Sequence, residues 1–233
     1  MALYTIGDLH LSLAKEKPMD IFGDCWKNHD QKLREAFSAL TEDDLTVLCG
    51  DLSWGMSLEE TAPDFHFVDE LPGKKLILKG NHDYWWTTAA KIKRFFTQEG
   101  IESIDILHNN AFSYGDYAVC GTRGWFYEEE KGGEHDAKIM RREIMRLETS
   151  LKAAGDRRKL VFLHYPPIYG NYRCEEILQL LKKYEVPLCC YGHIHGKGCA
   201  AAFNGWVGGT EFRLVSADYI RFTPMRLPIS ALV

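Results

Sequence analysis

The 233-residue chain is predicted to fold as an α/β protein: two mixed β-sheets packed as a sandwich and flanked by helices. Three observations predict it. Apolar runs of four or five residues recur along the chain, each closed by a polar or Gly-containing turn. Segments with helical periodicity separate them. The last third then changes character, with alternating or apolar runs divided by Gly-rich turns.

Taken in order, residues 3–6, 45–49, 75–78, 160–163 and 188–191 have the length and bulky or β-branched content of buried strands. Helices are predicted near 26–40, with Leu33, Phe37 and Leu40 on one face, near 88–98 (Ile92, Phe95, Phe96) and near 174–184 (Ile177, Leu178, Leu181). Residues 199–203, 211–217 and 219–222 read as antiparallel strands closing a second sheet. Segment 126–158 begins with a charged, Gly-containing stretch and continues as a helix that Gly155 stops, with Ala137, Met140, Ile144, Leu147 and Leu151 on its apolar face. It is either a cap beside a site or an ordinary flanking helix.

Composition bounds the function. Hydrophobic residues make up 45% and charged residues 26%, enough for the core of one globular domain over 1–233. A formal net charge of −5 supplies no overall attraction to nucleic acid or anionic membranes. No basic stripe with interleaved aromatics runs along the predicted helices, which argues against a nuclease. No apolar run approaches the roughly 20 residues that span a bilayer, and the N-terminus carries no signal-peptide pattern. The seven cysteines include no CxxC pair, and Cys49, Cys120, Cys189 and Cys190 sit in apolar surroundings. Reduced thiols in a cytoplasmic protein account for them.

The chemistry lies in the turns after the strands: Asp8-Leu9-His10, Gly50-Asp51, Gly80-Asn81-His82-Asp83, His164 and Gly192-His193-Ile194-His195. Five of the nine histidines fall in these blocks, so the turns share a purpose. Each block follows a predicted strand, where open α/β sheets place ligand sites. On an extended segment residues i and i+2 point the same way, so Asp8 with His10, and His193 with His195, can each face one point.

These ordered blocks resemble the calcineurin-like metallophosphoesterases, whose pattern is DxH, GDxx, GNH(D/E), a separate His, and GHxH. The match runs from Asp8 to His195. The compact length and the Trp-rich run after Asn81-His82-Asp83 are similar to small bacterial phosphohydrolases of unassigned substrate within that family. The resemblance implies that Asp8, His10 and His195 hold a first metal, that Asp51 bridges to a second, and that Asn81, His164 and His193 complete the second site. His82 would face the scissile ester without binding metal. Nitrogen and oxygen donors without thiolate suit two ions of Mn²⁺, Fe or Zn²⁺. The reaction implied is in-line attack of a bridging hydroxide on phosphorus, with His82 protonating the departing oxygen of a phosphomonoester or phosphodiester. The substrate would be a small phosphorylated metabolite, nucleotides included.

One position departs from the pattern. Many members carry an acidic residue three positions after the GD aspartate, steadying the catalytic histidine; here it is Trp54, so something else must orient His82. Trp54, Tyr84, Trp85 and Trp86 either wall a substrate pocket or pack the core. Arg123, between glycines after a strand, either clamps a phosphate or forms a surface ion pair. The competing reading of the whole chain is a non-catalytic scaffold on the same fold, but a scaffold needs neither the complete ligand set nor His82.

Overall fold

The structure is a computed structural model that describes residues 1–14, 17–126 and 133–229. The first sheet has the order β13-β1-β2-β3-β4: β1 (Leu3–Ile6), β2 (Leu45–Leu48), β3 (Lys74–Ile77) and β4 (Ile104–Ile106) run parallel, and β13 (Met225–Arg226) adds an antiparallel edge. The second sheet has the order β11-β12-β10-β7-β6-β5. In it β6 (Tyr117–Thr122), β7 (Arg158–Leu163), β10 (Leu188–Tyr191) and β12 (Thr210–Leu214) are parallel, while β5 (Ala111–Tyr114) and β11 (Gly205–Val207) are antiparallel edges. A two-stranded ribbon, β8 (Ile168–Tyr169) with β9 (Tyr172–Arg173), lies outside both.

Strand alternation builds the layers. Leu3, Val47 and Leu76 point between the sheets and meet Val119, Leu160, Phe162, Leu188 and Cys190 of the second sheet. Their chain neighbours Ile6, Leu48 and Ile77 point outward and are covered by α1 (His29–Phe37), α2 (Ala62–Glu70) and α3 (Ala89–Glu99) through Leu33, Phe37, Phe65, Ile92 and Phe96. On the other side Val161, Leu163, Cys189 and Tyr191 face α4 (Glu134–Ala153) and α5 (Glu175–Lys183). Central strands buried on both faces carry apolar residues at successive positions, which is why the sequence pattern of uninterrupted runs found them. The predicted α/β sandwich with flanking helices is the observed architecture.

The elements differ from expectation in the last third. Residues 199–203 are mostly a 3₁₀ turn (Gly196–Ala201), and 219–222 is a turn in which Arg221 and Phe222 take positive φ. Short apolar runs do not distinguish strand from turn, and here Gly196 and Gly198 tighten the chain. Only 211–214 of the predicted 211–217 is strand, and it pairs parallel to β10 and antiparallel to β11. The helix expected from residue 26 begins at His29, with Trp26 ending a separate 3₁₀ turn (Asp24–Trp26). In segment 126–158, Met140, Leu147 and Leu151 of α4 pack against the second sheet as a flanking helix does. Residues 127–132 of its charged opening lie outside the described residues. Among the described residues, no helix is long and apolar enough to cross a membrane.

Candidate metal centre

Parallel strands deliver their C-terminal ends to one side of each sheet, and the five motif turns converge there. Asp8 follows β1, Asp51 follows β2, Asn81 follows β3, His164 follows β7 and His193 follows β10. The turns are sharp: Asp8, His10, Asp51 and His193 all have positive φ (60°, 46°, 50° and 72°), a backbone region costing side-chain-bearing residues about 1–3 kcal/mol each. Such strain persists only where surroundings over-determine it. Here Asp8 N–H donates to the Gly50 carbonyl (2.9 Å), His10 N–H to the Asp51 carbonyl (2.9 Å) and His193 N–H to the Asp8 carboxylate (2.9 Å). The approach is so close that a Cβ at Gly80 would collide with the Asp51 carboxylate, and one at Gly192 would stand 2.5 Å from Asp8 Oδ2.

Two groups of donors result. Asp8, His10 and His195 each offer an atom within 4.8 Å of the others, and so do Asp8, Asp51 and His164. Asp51 Oδ1 accepts from His82 N–H at 2.7 Å, leaving Oδ2 between His10 Nε2 (3.7 Å) and His164 Nε2 (3.6 Å). Asn81 Oδ1 lies 2.6 Å from His164 Nε2 and 2.9 Å from His193 Nδ1. His164 Nδ1 lies 3.0 Å from the Cys49 carbonyl, which can only accept, so Nδ1 carries the proton and Nε2 presents its lone pair to the cage. All seven ligand candidates read from the sequence are thus brought together.

The electrostatics match a cation cage. Burial alone would raise Asp8, but the surrounding His195, His164 and His10 rings outweigh it and hold the carboxyl well below the usual range. Burial and the neighbouring Asp8 push Asp51 well above it. Burial keeps His10 and His164 low, and burial first of all brings His193 down to about 3, so these rings are neutral, as a ligand must be. Burial also opposes the charge on His195, yet Asp8 and Asp218 on its two sides raise it to about 10. A cation entering the cage would displace protons from Asp51 and His195. His195 Nε2 is buried, has no hydrogen-bond partner among the described residues and lies 3.6 Å from Asp8 Oδ1. An orphaned imidazole nitrogen aimed at a carboxylate fits a metal ligand.

Two carboxylates support the cage: Asp218, which no sequence motif marks, and Asp83, which the sequence places in its block without a role. Asp218 Oδ1 lies 2.9 Å from His195 Nδ1 while Oδ2 accepts from Gly196 N–H, which fixes the ring with Nε2 toward the cage. It stands 23 residues after His195 with no motif around it. Asp83, the last residue of its block, accepts from the N–H groups of Asp51, Leu52 and Gly80 and from Trp85 Nε1, at 2.7–3.1 Å. It clamps two ligand turns together; burial above all raises it to about 6.

His82 borders the cage. Its Nδ1 lies 3.2 Å from Tyr84 Oη and its ring stands 4.6 Å from the Trp54 ring, which in turn stacks on His10 at 4.9 Å. The Tyr84 hydroxyl and the Trp54 ring are thus the groups that stand against the His82 ring on this side. Trp85 points into the core, 3% exposed and edge-on to Phe65, and Trp86 packs beside it. Arg123 is largely covered, 3.5 Å from the buried Glu143 and stacked over Trp125, while its carbonyl accepts from His164 N–H and Tyr165 N–H. The structure thus gives Arg123 a half-buried ion pair beside the His164 turn.

Comparisons with known proteins agree with this geometry. No curated protein matches the chain. Among solved structures it is similar to a protein of unknown function from Aquifex aeolicus (17% identity, TM-score 0.57, covering 100% of this chain and 99% of that one). It is also similar to a Thermus thermophilus protein (15%, 0.56, 90% and 86%) and to phosphopantetheinyl hydrolase from Mycobacterium tuberculosis (13%, 0.60, 97% and 95%). At these identities the likeness concerns the fold. Residues 1–197 match the profile of the calcineurin-like phosphoesterases, and with the motif turns gathered as described, the chain belongs to that family.

Proposed function

We propose that this protein hydrolyses a phosphomonoester or phosphodiester of a small metabolite, using two ions of Mn²⁺, Fe or Zn²⁺. The observation that carries the reading is the position of Asp51 Oδ2, 3.7 Å from His10 and 3.6 Å from His164, between the two donor groups. Asp8, His10, His195 and Asp51 would hold one ion, and Asp51, Asn81, His164 and His193 the other. When bound, such a pair supplies Lewis acidity toward a phosphoryl oxygen and a water acidic enough to attack as hydroxide.

The chain's own groups do the rest. With Asp8 and Asp51 as the anions of the cage and Asn81 a neutral oxygen donor, two divalent ions keep a net positive charge that draws a phosphate. His82 stands beside the cage without entering it, positioned to protonate the departing oxygen. In the free protein, burial, with the Lys17 charge nearby, holds it down to about 4. An anionic substrate beside the ring favours its protonated form, so the proton would arrive with the substrate.

The test is hydrolysis of p-nitrophenyl phosphate and bis(p-nitrophenyl) phosphate by purified protein loaded with Mn²⁺, with metal content measured on the same sample. Turnover that a chelator abolishes is expected. Full metal occupancy without turnover of any ester would sink the reading in favour of a scaffold.

A further inference from the structure

A cavity of about 250 Å³ opens beside the cage. Met19, Phe22, Trp26 and Trp54 form its walls, and His10, His82, His195 and Gly196 line it toward the cage. The two 3₁₀ turns Met19–Phe22 and Asp24–Trp26 place three of these walls. Met19 and Trp26 are buried and held. Trp54 Nε1 donates to Met19 Sδ at 3.1 Å, and the Trp26 ring meets Phe222 edge-on at 5.1 Å and His195 at 5.8 Å. Phe22 is 60% exposed. Among the described residues, no carboxylate, amide or hydroxyl side chain lines it.

We infer that this cavity receives the alcohol part of the substrate, and that this part is an uncharged apolar group the size of a ring system. The inference rests on the phosphoesterase reading and narrows it. His82, which faces the departing oxygen in that reading, lines the cavity, so whatever that oxygen carries extends along walls of Met, Phe and Trp. An apolar cavity of about 150 Å³ takes a benzene ring, so this one has room for a bicyclic ring or a branched chain of comparable bulk. A nucleoside fits less well, because each hydroxyl or ring amide buried against these walls without a partner costs about 1–3 kcal/mol.

The experiment uses Mn²⁺-loaded protein and two non-hydrolysable probes, 2-naphthylmethylphosphonate and methylphosphonate, whose affinities are compared by calorimetry. The naphthyl probe is expected to bind at least about 30-fold more tightly, in line with what apolar pockets achieve. Phe22→Ala should cut that ratio at least about threefold, and Trp54→Ala further; Phe22 is exposed enough for its truncation to leave folding intact. In parallel, kcat/KM is measured for 2-naphthylmethyl phosphate and glycerol 3-phosphate, two alkyl esters of similar leaving-group acidity. Equal affinity for the two phosphonates overturns the inference while hydrolysis of either ester keeps the phosphoesterase reading. Preferential naphthyl binding without hydrolysis of either ester upholds the cavity assignment and overturns the reaction.

Discussion

The two halves of the metal centre are held by different means. On the first sheet the ligand turns are tied through backbone: Asp83 gathers three N–H groups and an indole, Asp51 Oδ1 accepts from His82 N–H, and Leu11 N–H and Trp54 N–H extend the ladder across the turns. On the second sheet the ligands are rings, each turned by a single partner: the Cys49 carbonyl for His164 and the Asp218 carboxylate for His195. On the first side, then, a ligand cannot be changed without disturbing the fold. On the second side orientation can be altered by itself.

Four substitutions test that contrast, from the largest effect down. Asp51→Ala removes the group between both donor sets, so metal analysis should find both ions lost and hydrolysis abolished. Retention of one ion would show that the halves act independently. His82→Ala should keep its metal and lose about 10²–10⁴-fold in kcat, the usual range for a general acid. Equal loss of metal would place His82 among the ligands. Asp83→Ala strands three backbone donors and an indole N–H in the interior, costing at least about 3 kcal/mol. In a chain of this length that is a fall of about 6–12 °C in Tm by calorimetry, with metal affinity falling alongside. Asp218→Asn should leave Tm within about 2 °C and weaken metal uptake about 10–100-fold, as loss of a histidine's orienting carboxylate does. A large stability loss there would erase the distinction between the halves.

The same contrast governs what could be read from the sequence. Strands β1, β2, β3, β7 and β10 were legible because burial on both faces writes continuous apolar runs, and the ligand turns because glycine and short polar spacing mark them. Helix α2 was not, since its apolar residues Phe65, Phe67 and Val68 do not fall on one clean stripe and Asp64 beside them is buried. Strand β4 has three residues, too few to show a period. Asp218 was invisible because its partner is distant in sequence. Which tryptophans face the cavity depends on packing: Trp54 lines it and Trp85 fills the core, though both stand close to ligand turns.

The cage also spans the seam of the sandwich. In the assignment proposed, each ion would draw ligands from both sheets: Asp8 and His10 with His195, and Asp51 and Asn81 with His164 and His193. A loaded ion would then act as a rivet, resisting any sliding of one layer over the other. Chelation should loosen the whole body and not merely silence the chemistry.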